Sequence, residues 1–384
     1  MQERKPFAVF VHGLFGWGER DPANRLLPEW GMGSGNVLKD LRSRGYDCCA
    51  PSLGPLSSAW DRACELYAQL TGTRVDYGAA HAAAHGHARY GRDYTGAAML
   101  PGWGEDRPAD FIGHSFGGAT SRLLVHLLAE GDEAERTACG DPSPLFLGGK
   151  AGWVRSVTCL ASPHNGSTMG LEGEDGVTTV AKMNLAMYRG VRLRFRQEFD
   201  FNLDQFGAAM EKGEDFVQCV HRMAELVRGH DDSAFLDLSV DGALALNARV
   251  SMPENVWYFS VPTCKTSPAD DGITHRPDRG ITPMLKKSAA QIGSYYDHTT
   301  PGGVAITREW CPNDGMVPTV SALCPLGAPQ TAAAERAGSY PRGVWNVLPV
   351  RACDHLEMIG GFGHFVQTRR FYRGLLARLE GLKE

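Results

Sequence analysis

The segment Gly113–Gly117 has the pattern G-x-S-x-G, with Ser115 at its centre. Between a strand and a helix, this pattern forms a strained turn that lifts the serine hydroxyl clear of the sheet. A short strand candidate at 110–112 precedes the motif, and leucines at helical spacing follow it. A chance match is the alternative in a chain with 46 glycines, but the strand and helix context favours a serine nucleophile.

Two backbone amides are candidates for binding the negative charge of a tetrahedral intermediate. The amide of Phe116 directly follows the serine and points at that charge in turns of this kind. His12-Gly13-Leu14 comes after an early apolar run, and a loop of this type supplies the second donor from the residue after the glycine. The predicted oxyanion hole therefore consists of the amides of Leu14 and Phe116.

A serine hydroxyl becomes reactive only when a base takes its proton, and the base needs an acid that orients it. In hydrolases with this turn, the chain order is serine, acid, histidine. Asp314 and His355 fit that order, and Asp354 is a rival acid. We favour Asp314, because adjacent residues in an extended segment point apart and Asp354 would be poorly placed to orient the neighbouring ring.

Alternating strand and helix patterns predict an α/β fold with a mostly parallel central sheet flanked by helices. The strand candidates are Phe7–Val11, 110–112, Val154–Leu160, Val256–Val261 and Val344–Leu348. Ser58 and Asp61 form a capping box that predicts a helix through Leu70. Residues 165–230 lack strand signals and predict a helical insertion, interpreted as a mobile lid over Ser115, with a fixed helical subdomain as the alternative.

Length and composition indicate one large globular domain, 1–384, with 43% hydrophobic and 22% charged residues. A net charge of −5 makes nucleic acid an unlikely partner. No stretch is apolar enough for a transmembrane segment, and the run Phe7–Val11 is too short for a signal-peptide core. Ten scattered cysteines without a C-x-x-C pair do not indicate a disulfide framework.

Several long strings resemble the thermoalkalophilic bacterial lipases, a family of zinc-containing α/β-hydrolases. They cover nearly the whole chain and include Val11–Gly18, Trp60–Glu65, Val75–His81, Asp200–Gln205 and Asp354–Glu357. The resemblance implies an α/β-hydrolase fold and secretion. Two features depart from the family pattern. The family has glutamine where this chain has Phe116, and its sequence differs from that of this chain at 170–198. The first departure leaves the backbone donor intact, whereas the second affects substrate preference.

The resemblance further implies a zinc site in an insertion at 57–90. Its ligands would be Asp61, His81, His87 and Asp237. Two imidazole nitrogens and two carboxylate oxygens form a credible tetrahedral set, and four protein ligands indicate a structural metal. His85 is the alternative within this histidine-rich stretch, since it lies four residues from His81 and would share its helical face.

The same family carries a calcium site that uses the glutamate two residues after the catalytic histidine and an aspartate five residues further on. Glu357 is present here, but Phe362 stands at the aspartate position. Calcium needs six or more oxygen ligands. We therefore expect no calcium site of the family type, and we expect Glu357 to make a structural hydrogen bond near the catalytic residues.

These features together predict a lipase or carboxylesterase that hydrolyses acylglycerol esters with Ser115, His355 and Asp314. The substrate would be an ester or lipid, and a lipid–water interface is an expected site of action. A short-chain esterase or polyester hydrolase with the same residues is the alternative within enzymes. A binding protein that kept the fold and lost activity is a further alternative, against which the intact nucleophile, acid and base argue.

Overall fold

The structure is a computed structural model that describes residues 6–32, 35–169, 202–208, 214, 216–228, 230–335, 339–361 and 365–383. Its centre is a seven-stranded sheet in the order β12-β13-β7-β6-β5-β1-β2, in which every neighbouring pair is parallel. These strands are β1 (Phe7–Val11), β2 (Cys48–Cys49), β5 (Ala109–His114), β6 (Val154–Leu160), β7 (Trp257–Val261), β12 (Gln330–Ala332) and β13 (Trp345–Val347).

Three antiparallel two-stranded ribbons lie outside this sheet. They are β3 (Arg74–Asp76) with β4 (Tyr90–Asp93), β8 (Thr266–Pro268) with β9 (His275–Pro277), and β10 (His298–Thr299) with β11 (Ala305–Ile306). The helices are α1 (Val37–Arg42), α2 (Ala59–Thr71), α3 (Ala79–His85), α4 (Phe116–Ala129), α5 (Glu133–Ala138), α6 (Phe216–Arg228), α7 (Ala234–Leu238), α8 (Val240–Arg249), α9 (Lys286–Ser294) and α10 (Phe365–Glu380).

The central sheet is buried on both faces, as a parallel sheet requires. All five residues of β1 are buried, and successive side chains point to opposite faces. Val9 packs in the core that also contains α2 and α4, whereas Phe10 packs in the core that contains α1 and α10. The two cores explain why β1 is a continuous apolar run with no alternation.

The carboxyl ends of the parallel strands meet at one edge of the sheet, where α/β proteins place their sites. Val11 at the end of β1 pairs with Gly113 near the end of β5. Residues 12–14 and Ser115 are therefore neighbours. Asp314 lies in the long connection after β7, and His355 follows β13, so all the predicted catalytic residues lie beyond the same edge.

The predicted fold class and strands are confirmed. The structure has β6 with the predicted bounds, and the predicted helix after Ser58 runs from Ala59 to Thr71. Of the predicted lid at 165–230, residues 170–201, 209–213, 215 and 229 lie outside the described residues, so its mobility stays a prediction. Within the described ranges, every helix is too short or too polar to span a bilayer.

Candidate active site and metal centre

The serine turn has a backbone geometry that few residues adopt. Ser115 has φ 55° and ψ −127° and directly precedes α4. Glycines permit the close packing around it, because a Cβ on Gly117 would lie 2.0 Å from the carbonyl oxygen of Val11. Strain of this kind persists only where the surrounding structure holds it in place, and it is common at functional sites.

The loop after β1 passes directly beside the serine. A Cβ on Gly13 would lie 2.7 Å from Cβ of Ser115 and 3.2 Å from its Oγ. The amide of Leu14 makes no hydrogen bond to another described residue. The amide of Phe116 is the first of α4, so no carbonyl of the helix accepts from it. Both predicted oxyanion donors therefore belong to segments that adjoin Ser115.

Asp314 and His355 form a buried hydrogen-bonded pair. Nδ1 of His355 lies 2.9 Å from Oδ2 of Asp314, and the same oxygen accepts from Oγ1 of Thr263 at 2.7 Å. The other oxygen accepts from the amides of Met316 and Val317. Burial by itself raises the pKa of Asp314, but the charge of His355 and these hydrogen bonds outweigh burial and hold the pKa below its ordinary value.

The rival acid Asp354 has a different set of partners. Its Oδ2 accepts from the amide of Thr282 at 2.7 Å, and its Oδ1 accepts from the amides of Leu356 and Glu357. The carboxylate therefore bonds to backbone amides in and next to the loop that carries His355, and it is not the group that bonds to the imidazole. This geometry favours Asp314 as the acid, as the sequence argument did.

Ser115 and His355 line one cavity together with mostly apolar side chains. The apolar lining includes Leu14, Phe15, Trp17, Met32, Met284, Met316, Leu356 and Ile359. Glu29 also lines the cavity, and burial raises its pKa to about 8. The sequence analysis missed Glu29 because an isolated glutamate before a tryptophan carries no local signal.

A second cluster of polar side chains lies between α2, α3 and the segment before α7. The ligand atoms of Asp61, His81, His87 and Asp232 all lie within 4.8 Å of one another. Nε2 of His81 lies 3.4 Å from Oδ1 of Asp61 and 3.2 Å from Oδ2 of Asp232. Nε2 of His87 lies 3.3 Å from the same Asp232 oxygen. This buried cluster could hold a metal ion.

Asp232, and not the predicted Asp237, lies in this cluster. Oδ2 of Asp237 instead accepts from the amide of Ala59 at the start of α2, at 2.7 Å. His85 also lies outside the cluster, with its Nδ1 2.9 Å from Oδ1 of the exposed Asp231. Three of the four predicted ligands are therefore brought together, and the fourth member of the cluster is a nearby aspartate.

Unpaired buried atoms show that the cluster suits a cation. Oδ1 of Asp61 and Nε2 of His87 are buried and have no hydrogen-bond partner among the described residues. Burial raises the pKa of Asp61, so a nearby positive charge would stabilise its carboxylate. Nδ1 of His87 donates to the carbonyl of Ala88 at 2.9 Å, which leaves the Nε2 lone pair for a metal. The donor set therefore fits a metal such as zinc.

The residues near Glu357 do not fit calcium. Nζ of Lys265 lies 3.6 Å from Oε2 of Glu357, and the same oxygen accepts from the amide of Asp354 at 2.8 Å. An ammonium group beside the carboxylate would repel a divalent cation. Phe362, at the other family ligand position, lies outside the described residues.

Millimolar calcium is accordingly expected to change the melting temperature by less than about 1 °C, because a ligand stabilises a protein only as far as it binds the native state. Differential scanning calorimetry of protein that is dialysed free of calcium without a chelator, with calcium or magnesium then added, measures this. A rise of several degrees with calcium alone would show that the carboxylate binds the ion despite Lys265.

Comparisons with known proteins agree with this architecture. A family model described as "Lipase-like, C-terminal domain" matches residues 4–380. Lipase 2 of Staphylococcus aureus is 34% identical over 96% of this chain and 53% of its own length. The chain thus spans about half the length of the curated relatives it matches.

Two solved structures are similar over nearly the whole chain. Lipase 1 from Pelosinus fermentans is 34% identical with a TM-score of 0.87, and the match covers 100% of both chains. EstA from Clostridium botulinum is 32% identical with a TM-score of 0.89, covering 99% of this chain and 88% of EstA.

Proposed function

This chain belongs to the lipase-like, C-terminal domain family, and from that premise we propose that it hydrolyses carboxylic esters, including acylglycerols, through an acyl-enzyme on Ser115. One observation carries the proposal. The strained Ser115 shares an apolar cavity with a histidine that a buried carboxylate holds at 2.9 Å. The similar proteins that are named lipases support the same reaction class.

In the first half of the reaction, Oγ of Ser115 attacks the ester carbonyl while His355 takes the hydroxyl proton. The carbonyl oxygen gains negative charge, which the amides of Leu14 and Phe116 bind. Asp314 stabilises the imidazolium that forms. The imidazolium then gives its proton to the departing alkoxide, so an alcohol leaves and the acyl group remains on the serine.

The second half repeats these steps with water as the nucleophile. His355 takes a proton from the water as its oxygen attacks the acyl carbon, and the same amides bind the oxyanion. The proton returns to Oγ of Ser115 and the carboxylic acid leaves. The apolar lining of the cavity, with Met284, Met316 and Ile359 among its residues, suits the hydrocarbon part of an acyl chain.

Esters of graded acyl length test the proposed function. We expect kcat/KM to rise from acetyl to longer p-nitrophenyl esters and triglyceride emulsions to be hydrolysed, because added apolar area is buried in the cavity. Preference for acetyl esters would favour a short-chain esterase. A fluorophosphonate that fails to label Ser115, together with no turnover of any ester, would favour a binding protein.

Zinc is the ion we propose for Asp61, His81, His87 and Asp232. When bound, it would serve as a closed structural centre, because four protein ligands leave no position for a reactive water. Asp61 lies on α2 and His81 on α3, and Asp232 precedes α7. Nε2 of Gln205 donates to the second oxygen of Asp61 at 2.7 Å and fixes its orientation.

Asp232→Asn is expected to lower bound zinc below half an equivalent and the melting temperature by several degrees, because a structural metal contributes folding free energy. Turnover at moderate temperature should change less than threefold. Metal analysis by mass spectrometry and calorimetry measure both effects. Asp237→Asn is the matched control and should retain zinc, since an asparagine oxygen can still accept from Ala59. Loss of zinc from the control with retention in Asp232→Asn would reverse the assignment.

A further inference from the structure

Residues 263–266, which begin two positions after the end of β7 and reach the first residue of β8, connect the two loops that carry the proposed catalytic acid and base. We name residues 313–317 the acid loop, residues 351–357 the base loop and residues 263–266 the connecting segment. Oγ1 of Thr263 donates to Asp314. The amide of Cys264 donates to the carbonyl of Arg351, and the amide of Lys265 donates to the carbonyl of Asn313. The segment thus bonds to both loops through its backbone and a hydroxyl.

The Lys265 side chain adds an ionic contact to the base loop. Its Nζ donates to the carbonyl of Ala352 at 3.3 Å and lies 3.6 Å from Oε2 of Glu357. The same Glu357 oxygen accepts from the amide of Asp354, next to His355. The side chains are 19% and 9% exposed, so solvent screens this pair less than a surface pair.

We propose that Lys265 is a positioning residue, which holds the base loop against the acid loop so that the imidazole of His355 keeps its place between Asp314 and Ser115. The inference rests on the proposed ester hydrolysis and adds a residue that contacts no substrate. The Lys265 backbone is fixed to the acid loop, and its ammonium reaches two groups of the base loop. One residue therefore spans the distance between the two loops.

The physical reason is charge compensation at a partly buried carboxylate. Without the ammonium, the Glu357 carboxylate would lose the cation beside it and shift toward solvent, because removing one member of a partly buried ion pair is destabilising. Movement of Glu357 would release the amide of Asp354 and shift the base loop. A displacement of about 1 Å in a catalytic group can reduce the rate about a hundredfold.

Lys265→Met and Lys265→Arg test the proposal in the full chain. Methionine keeps the length and apolar stem without the charge, whereas arginine keeps the charge. We expect Lys265→Met to lower kcat about tenfold with KM changed less than twofold, and Lys265→Arg to recover most of the loss. The matched control is Arg276→Met, which removes an ion pair of the same 3.6 Å length, to Asp270, on the nearby β8–β9 ribbon. The control should retain wild-type kcat.

Glu357→Gln gives a second test, because the double variant measures whether the effects of Lys265 and Glu357 on kcat are coupled. If Lys265 acts through Glu357, the double variant Lys265→Met, Glu357→Gln should lose no more kcat than the worse single variant. If the loss of kcat in the double variant equalled the product of the two single losses, the proposal would be overturned. A lower melting temperature with unchanged kcat, measured well below that temperature, would also overturn it by assigning Lys265 a purely structural role. Failure of the proposed function is distinguishable, since the wild-type chain would then show no turnover.

Discussion

Ser115→Ala is expected to reduce ester hydrolysis by about four orders of magnitude or more while the fold remains intact. The physical reason is that acyl transfer through the enzyme needs the serine oxygen, and only the oxyanion amides and substrate binding remain without it. Alanine at φ 55° is no larger than serine, so the turn accepts it. Steady-state rates with p-nitrophenyl esters and a far-ultraviolet circular dichroism spectrum measure the two effects.

The control for this variant is Ser121→Ala. Ser121 lies on α4, which begins directly after Ser115, and donates to the carbonyl of Gly117 at 2.7 Å, but it does not line the cavity. Its kcat should remain within about threefold of the wild type, since a neutral hydrogen bond contributes only about 1 kcal/mol. If Ser115→Ala retained more than a few per cent of the wild-type turnover, Ser115 would be refuted as the nucleophile.

Asp314→Asn is expected to lower kcat/KM by about 10⁴-fold, the size of effect known for loss of the acid in such triads. An amide carries no charge to stabilise the imidazolium of His355. It also offers one accepting oxygen where the carboxylate oxygens receive four donors, from Thr263, His355, Met316 and Val317. Rates measured from pH 6 to 10 distinguish two effects of the variant. Lost orientation of the imidazole lowers the rate at every pH, whereas altered protonation of the base shifts the pH at which the rate rises.

Asp354→Asn is the matched comparison, because the same substitution is made 40 residues away on the loop that carries the base. Its carboxylate accepts from three backbone amides, so we expect a lower melting temperature and a loss of kcat/KM below about tenfold. If Asp354→Asn proved the more damaging variant at a temperature where both are folded, Asp354 and not Asp314 would be the catalytic acid.

The sequence by itself predicted the elements whose signals are local. The apolar run of β1 and the glycines around Ser115 are such signals, because strand burial and a strained turn are decided by neighbouring residues. The serine turn also predicted the order serine, acid, histidine along the chain, which identified Asp314 and His355 as candidates. The fold class and the central strands are confirmed, and the choice of Asp314 over Asp354 agrees with the observed geometry.

Only the tertiary structure decided which side chains converge from distant segments. Asp232 and Asp237 are five residues apart, and the sequence offered no local reason to choose between them. The structure places Asp237 on the first turn of α7, where it caps α2, and leaves Asp232 before the helix and facing the two histidines. Glu29 in the cavity and Lys265 between the loops have no motif either. Their roles depend on contacts between segments that lie far apart in the chain, and such contacts are set by packing, which local pattern does not determine.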